Sequence, residues 1–248
     1  METKKGISGA VLKWIAIITM LTDHIGASIV RYYRGLPGCT QTTKVVYDIL
    51  RDIGRIAFPI FIFLLIEGYR HTKNRRKYLF RLLLFCIISE IPFNMAFCYK
   101  VWDPTHQNVF FTLSLGFIAI WLMDELQKKS SSHISNPAAA ATYSSLCNFG
   151  VILTFCLIAE LLKTDYRSVG VLAICAAWVL KDKRYLQMPV CCLTLLLSSQ
   201  REWYALIACI PILFYNGTRG KQSKYFFYIF YPLHLLILGC ICVFYIVA

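Results

Sequence analysis

Acidic residues are scarce in this chain: 13 Asp and Glu in 248 residues, against 26 Lys and Arg. Charged residues together make up 16% of it, well below the quarter usual in soluble domains. The eleven cysteines include no C-x-x-C pair, which removes the common zinc and dithiol frameworks. There is no Gly-rich phosphate loop, which excludes a P-loop nucleotide-hydrolysing fold. The five histidines are scattered, and no metal constellation forms from them. No A-x-A cleavage site follows the opening "METKK", so the next apolar run reads as an uncleaved first span.

Hydrophobic side chains are what the chain has in excess, at 58%. They gather in near-continuous runs separated by short polar loops, and a helix needs about 20 such residues to cross the hydrocarbon. Runs lie near 9–30, 52–70, 79–98, 108–126, 146–163, 168–181, 185–199, 202–216 and 225–247. They predict an all-α, polytopic transmembrane helical bundle of about nine spans, in a range of eight to ten, forming a single domain over 1–248. The segment "KKSSSHISNPAAAATYSS" (128–145) reads as a linker-like loop. Cysteines such as Cys86, Cys156, Cys175, Cys209, Cys240 and Cys242 fall inside apolar runs, where free Cys acts as a small hydrophobe.

The net charge of +13 is not a nucleic-acid footprint, because the basic residues cluster in loops between runs rather than on one face. With the N-terminus in the cytoplasm, the inner loops hold 17 Lys and Arg and the outer ones 8, the positive-inside bias of a multi-pass protein of the cytoplasmic membrane. The first outer loop runs against the trend, with Arg31, Arg34, Lys44 and Arg51.

Polar residues inside the runs are the candidates for function. They are Asp23, His24, Arg55, Glu67, Glu90, Asn94, Asn108, Glu160 and His234. A charge at bilayer depth costs several kcal/mol unless paired or hydrated, so the set serves either a shared site or a polar network such as an Asp23–Arg55 pair. Thr19, Thr22, Asp23, Gly26 and Ala27 share one small, partly polar helix stripe. His24 lies about 100° round the helix from Asp23, so each can face a different helix. "RHTKNRRKYLFR" (Arg70–Arg81) is either a topology signal with affinity for anionic lipid or a seat for a phosphorylated cofactor. Asn108 is either an oxyanion donor or a helix cap, and His234 either a second site histidine or a satisfied interior one.

Five segments taken together resemble the TraX family of bacterial membrane proteins: "LKWIAIITMLTDHIGA", "IGRIAFPIFIFLLIEGYRHT", "YLFRLLLFCIISEIPFN", "QNVFFTLSLG" and "FYIFYPLHL". They occur in this order from end to end. The resemblance implies an acetyltransferase like the family's namesake, which acetylates a pilin N-terminus. It is similar to wider membrane acyltransferases that pass an acyl group from cytosolic acyl-CoA to an acceptor on the far side through an intramembrane His. That makes His24 the leading catalytic residue, with Asp23 beside it. Arg55, Glu67, Arg81, Glu90 and Asn108 lie in the matching words. "TDYRSVGVL" departs from the family word, with Arg167 where Asp165 and Tyr166 would be followed by glycine.

The expected chemistry follows. Acetyl-CoA is the donor, its phosphates held by the basic loop (Arg70, Arg75, Arg76, Lys77 and Arg81, with Glu67 nearby). His24, 11 residues beyond Lys13, lies about 16 Å deeper along a helix. It acts as base toward an amine or hydroxyl, or carries the acetyl group itself. Asp23 would stabilise the imidazolium or pair with Arg55, and Arg55 or Asn108 would stabilise the oxyanion. The expected partners are the lipid bilayer and a peptide, pilin-like or carbohydrate acceptor, with no nucleic acid. A proton-coupled transporter or a membrane scaffold would use the same buried polar residues.

Overall fold

The computed structural model describes residues 5–221 and 224–246. Lys4 and the rest of the opening four residues lie outside them. Among the described residues the protein is helical throughout, with two isolated backbone bridges, Ile7 to Tyr215 and Gln107 to Thr164. Helix α1 spans Gly9–Gly35 and carries a wide π turn at Gly26–Val30. Then follow α2 (Gln41–Gly54), α3 (Ala57–His71), α4 (Arg75–Phe97), α5 (Val109–His133) and α6 (Pro137–Leu161). The remainder is α7 (Arg167–Val179), α8 (Arg184–Leu195), a 3-10 helix (Gln200–Ala208) running into α9 (Cys209–Leu213), and α10 (Lys224–Ile241).

Local sequence sets five of the helix starts. The side chains of Thr40, Asn74, Asn108, Asn136 and Ser199 each accept a backbone N–H of the first turn that follows, satisfying donors that would otherwise be orphaned. Pro137 adds a rigid first residue to α6.

The chain runs back and forth between two ends of one bundle. Residues around 7, 70–75, 124–125, 181–182 and 214–216 meet at one end. Ile7 pairs with Phe214, Arg70 reaches Lys181 and Asp182, and Arg75 reaches Asp124 and Glu125. At the other end Arg31 donates to the Phe97 carbonyl, Arg201 to Asp48 and Asp52, and Gln107 to Lys163. These are the two sets of segments that the charge bias separates.

Among the described residues, five helices are long and apolar enough to cross a membrane: α1, α4, α5, α6 and the segment Phe226–Ile246 of α10 and its π turn. The nine spans expected from the apolar runs are not reproduced by this measure. Helices α3, α7 and α8 have 15, 13 and 12 residues, fewer than the roughly 20 a crossing needs. Their apolar residues, with those of α5 and with Ala205, Ala208 and Ile212, make up most of the main core. An apolar run marks burial whether lipid or protein does the burying, so run counting cannot separate the two. Helix α6 is the reverse case, with only 6% of its best window buried.

Two segments differ from the loops expected of them. The linker-like stretch 128–145 is helical except at 134–136, because α5 runs on to His133 and α6 starts at Pro137. Serines there bond back to their own helix, as Ser131 does to the Gln127 carbonyl. The first outer loop holds α2, whose Val45, Val46, Ile49 and Ile53 are exposed along one face while Asp48, Arg51 and Asp52 turn to ion pairs.

Arg167 has φ +45°, next to Tyr166 at +61°. The left-handed region suits glycine, which accounts physically for the glycine of the family word. We expect Arg167→Gly to raise stability by about 0.5–1 kcal/mol, the relief of left-handed strain less glycine's extra chain entropy. A higher thermal midpoint in detergent would register it, and a lower midpoint would refute it.

Candidate active site

A face of α1 with the spacing i, i+4, i+7, i+11 carries Lys13, Ile17, Met20 and His24. The first three line a cavity of about 570 Å³ enclosed by α1, α3, α4, α5 and α10. Its mouth has Lys13, His71, Arg81 and Arg219, and its inner end has Met20, Phe110 and Tyr231. Lys13 lies over the Phe227 ring, and Arg81 between the rings of Tyr78 and Tyr228. The Arg81 Nε is buried with no hydrogen-bond partner. His24 does not line the cavity, but Tyr231 does, and its ring meets His24 edge-on at 5.9 Å between centroids. A cationic mouth therefore leads through an apolar channel to one aromatic ring away from the histidine.

His24 is one of two stacked histidines. Its Nδ1 is 2.7 Å from Nε2 of His234, and the rings lie 5.0 Å apart at 13°. The His234 Nδ1 lies 2.7 Å from the Phe230 carbonyl oxygen. A carbonyl only accepts, so that nitrogen carries a proton. A neutral His234 then presents Nε2 as an acceptor, and His24 Nδ1 is the donor. His24 Nε2 keeps its lone pair and can take up a proton without breaking either bond. Apolar neighbours hold the pair: Phe97 packs edge-on against His24 at 5.1 Å, and Ile17, Met20, Phe93, Tyr231 and Leu235 form the surrounding cluster. Directly after His24 comes the π turn, whose Ser28 hydroxyl returns a hydrogen bond to the His24 carbonyl. π turns are frequent at functional positions.

Asp23 faces another helix. Its two oxygens accept from Arg51 at 2.6 Å and Arg55 at 2.7 Å. Arg55 also donates to Glu202 at 2.9 Å and to the Tyr166 hydroxyl at 3.3 Å. The close approach of α2 depends on Gly54, where a Cβ would sit 2.2 Å from Asp23. Asp23 is thus the partner of two arginines and not of His24, and Arg55 is spent on two carboxylates. Tyr166 stacks on Phe58 at 3.9 Å, and Asp165 is 3.6 Å from His106.

Asn108 caps α5 and is fully buried. Its amide donates to Glu90 at 2.6 Å and to the Cys86 carbonyl at 2.9 Å, which uses both N–H bonds. No donor is left for an oxyanion, so the capping alternative describes its geometry. Glu90 is held by that contact on one oxygen, and its other oxygen, like both amide atoms of buried Asn94, has no partner.

The basic segment divides in two. Arg81 and Glu67 line the cavity. Arg70 turns to Glu67, Asp182 and the Lys181 carbonyl, and Arg75 is paired with Asp124 and Glu125. Arg76 and Lys77 are exposed and stand off the cavity. Sequence reasoning missed Arg219, Tyr231 and Glu202 as site neighbours and used Lys13 as a topology charge and as the depth reference for His24, not as a cavity residue. The stripe from Lys13 to His24 was the signal available for Lys13. Arg219 and Tyr231 reach the cavity only through the packing of α10 and the loop before it.

The TraX family model matches residues 8–242. The chain belongs to the TraX family. It is also 28% identical over 256 residues, 92% of each chain, to the "Probable fimbrial assembly protein FimC, serogroup H1" of Dichelobacter nodosus. No solved structure matches the chain. For this TraX-family membrane protein, the match covers both histidines and both acidic partners of Arg55.

Arg55→Ala should destabilise the protein by about 3–5 kcal/mol, because it strands Glu202, which is 1% exposed, as a buried charge. Adding Glu202→Gln should recover part of that loss in a double-mutant cycle. Additive losses in thermal unfolding would show that the pair is not coupled.

Proposed function

We propose that this TraX-family protein is a membrane-embedded acetyltransferase, taking an acetyl group from cytosolic acetyl-CoA to an amine or hydroxyl acceptor at the outer side of the cytoplasmic membrane. The observation that carries the reading is the cavity that runs from a cationic mouth along the α1 face bearing His24. Acetyl-CoA has a diphosphate at one end and a thioester at the end of a long arm. Lys13, Arg81 and Arg219 match the first, and the apolar passage of about 10 Å along α1 from Lys13 to Met20, ending at the Tyr231 ring that packs on His24, matches the second. With the N-terminus in the cytoplasm, the mouth faces the cytosol.

In this mechanism His24 Nε2 takes the proton of the acceptor nucleophile as the carbon–nucleophile bond forms and the carbon–sulfur bond breaks. The proton then passes to the departing CoA thiolate. Alternatively, Nε2 attacks the thioester, releases CoA and hands the acetyl group on. His234 orients His24 in both versions. Asp23 and Arg55 act at a distance by holding α1 against α2 at the turn that carries His24. The relative named for fimbrial assembly favours a pilin-like peptide among acceptors.

The test is acetyl-CoA turnover by protein in nanodiscs, followed by CoA release and by acetyl label on the protein. His24→Ala should lower turnover by about 10²–10⁴-fold. Arg81→Ala should raise KM for acetyl-CoA about tenfold at similar kcat, the worth of one charge-assisted hydrogen bond, whereas Arg76→Ala should change neither. His234→Gln, which still offers an acceptor to His24, should retain more activity than His234→Ala. Absence of acetyl-CoA binding, with proton-coupled substrate flux instead, would overturn the reading in favour of a transporter.

A further inference from the structure

A second cavity, of about 500 Å³, lies in the wedge between α5 and α6 near their connecting turn, with the end of α7 as its floor. Its lining is unlike that of the first. Gln127, Ser131, Ser144, Ser145 and Asn148 supply hydroxyls and amides, Lys181 supplies the charge, and no acidic residue lines it. Lys181 sits over the Trp178 ring at 4.5 Å and is 3.9 Å from Asp182. The Asn148 Oδ1 is closed off from solvent with no hydrogen-bond partner.

The row of α6 that enters this cavity changes character as it leaves. Ala141 and Ser145 line the wedge. At the same i+4 spacing follow Phe149, Leu153, Leu157 and Leu161, which are 67%, 50%, 55% and 81% exposed. From Phe149 to Leu161 the helix rises about 18 Å, close to the ~15 Å of one leaflet's hydrocarbon. A polar, singly cationic pocket that continues into one leaflet's length of apolar ridge has the shape of an amphiphile. The wedge lies at the charged level of Asp124, Lys128 and Lys181, where headgroups sit.

We infer that the α5–α6 wedge is a binding site for an anionic phospholipid with a hydroxyl-bearing headgroup, such as phosphatidylglycerol, its acyl chain lying along the Phe149–Leu161 row. Lys181 takes the phosphate, and the lining serines take the headgroup hydroxyls. An ammonium headgroup would find no counter-charge among the lining residues. The site is separate from the acetyl-CoA reading and stands or falls without it.

Native mass spectrometry of delipidated full-length protein, titrated with phosphatidylglycerol, phosphatidylethanolamine or soluble glycerol phosphate, tests this. Phosphatidylglycerol should be retained best. Lys181→Gln should weaken it about fivefold, the worth of one lysine at an anionic surface. Ser145→Leu should abolish the preference by filling the wedge, and Lys129→Gln, off the cavity, should leave it intact. Equal retention of the two lipids, or no effect of Ser145→Leu, would overturn the site. Glycerol phosphate binding as tightly as the lipid would show a free-anion site instead. A lipid-free dimer lost on Leu153→Ser would show that the row is covered by a second copy.

Discussion

A carboxylate inside a membrane helix must be paired, and Asp23 is the charge around which this bundle is assembled. Its partners come from α2 and from the two-residue link between α2 and α3, and the second of them carries the contact on to Glu202 in the 3-10 helix. An amphipathic segment that would otherwise be a surface loop is thereby fastened to α1. The fastening is tight enough to require glycine at position 54. Its energetic worth lies in what happens when it is broken, since a buried charge without its partner costs more than the intact pair contributes.

That pairing turns Asp23 away from the neighbouring face of α1, which carries His24. Asp23 and His24 are adjacent in the chain and look like a catalytic dyad, yet the helix turns them about 100° apart. Asp23 is consumed by structure, and His24 is oriented by a second histidine from α10. His234 in turn is set by the Phe230 carbonyl one helical turn earlier on α10. With His234 neutral, the result is a defined tautomer with one basic nitrogen left over. A neutral orienting group suits bilayer depth, where a second carboxylate would need its own counter-ion.

The remaining candidates sort by the same criterion of which atoms are already used. Asn108 has given away both amide hydrogens, Arg75 is held by two carboxylates, and Arg55 bridges two more. Arg81, by contrast, is packed between tyrosine rings at a cavity wall. Basic residues close together in sequence thus have different tasks, because successive helix positions point to different neighbours.

Much of this was legible in the chain itself. Apolar runs and the loop distribution of Lys and Arg determined a helical membrane protein with two differently charged ends. The family words singled out His24 and Asp23, and helical periodicity separated their faces. The tertiary structure alone decided how long each helix is and which apolar residues pack into the protein core, since hydropathy reports removal from water and not what replaces it. It alone brought His234 to His24 across 210 residues, and set Arg219 and Tyr231 on the cavity with Lys13. Such contacts depend on which helices pack side by side, and no local spacing encodes that choice.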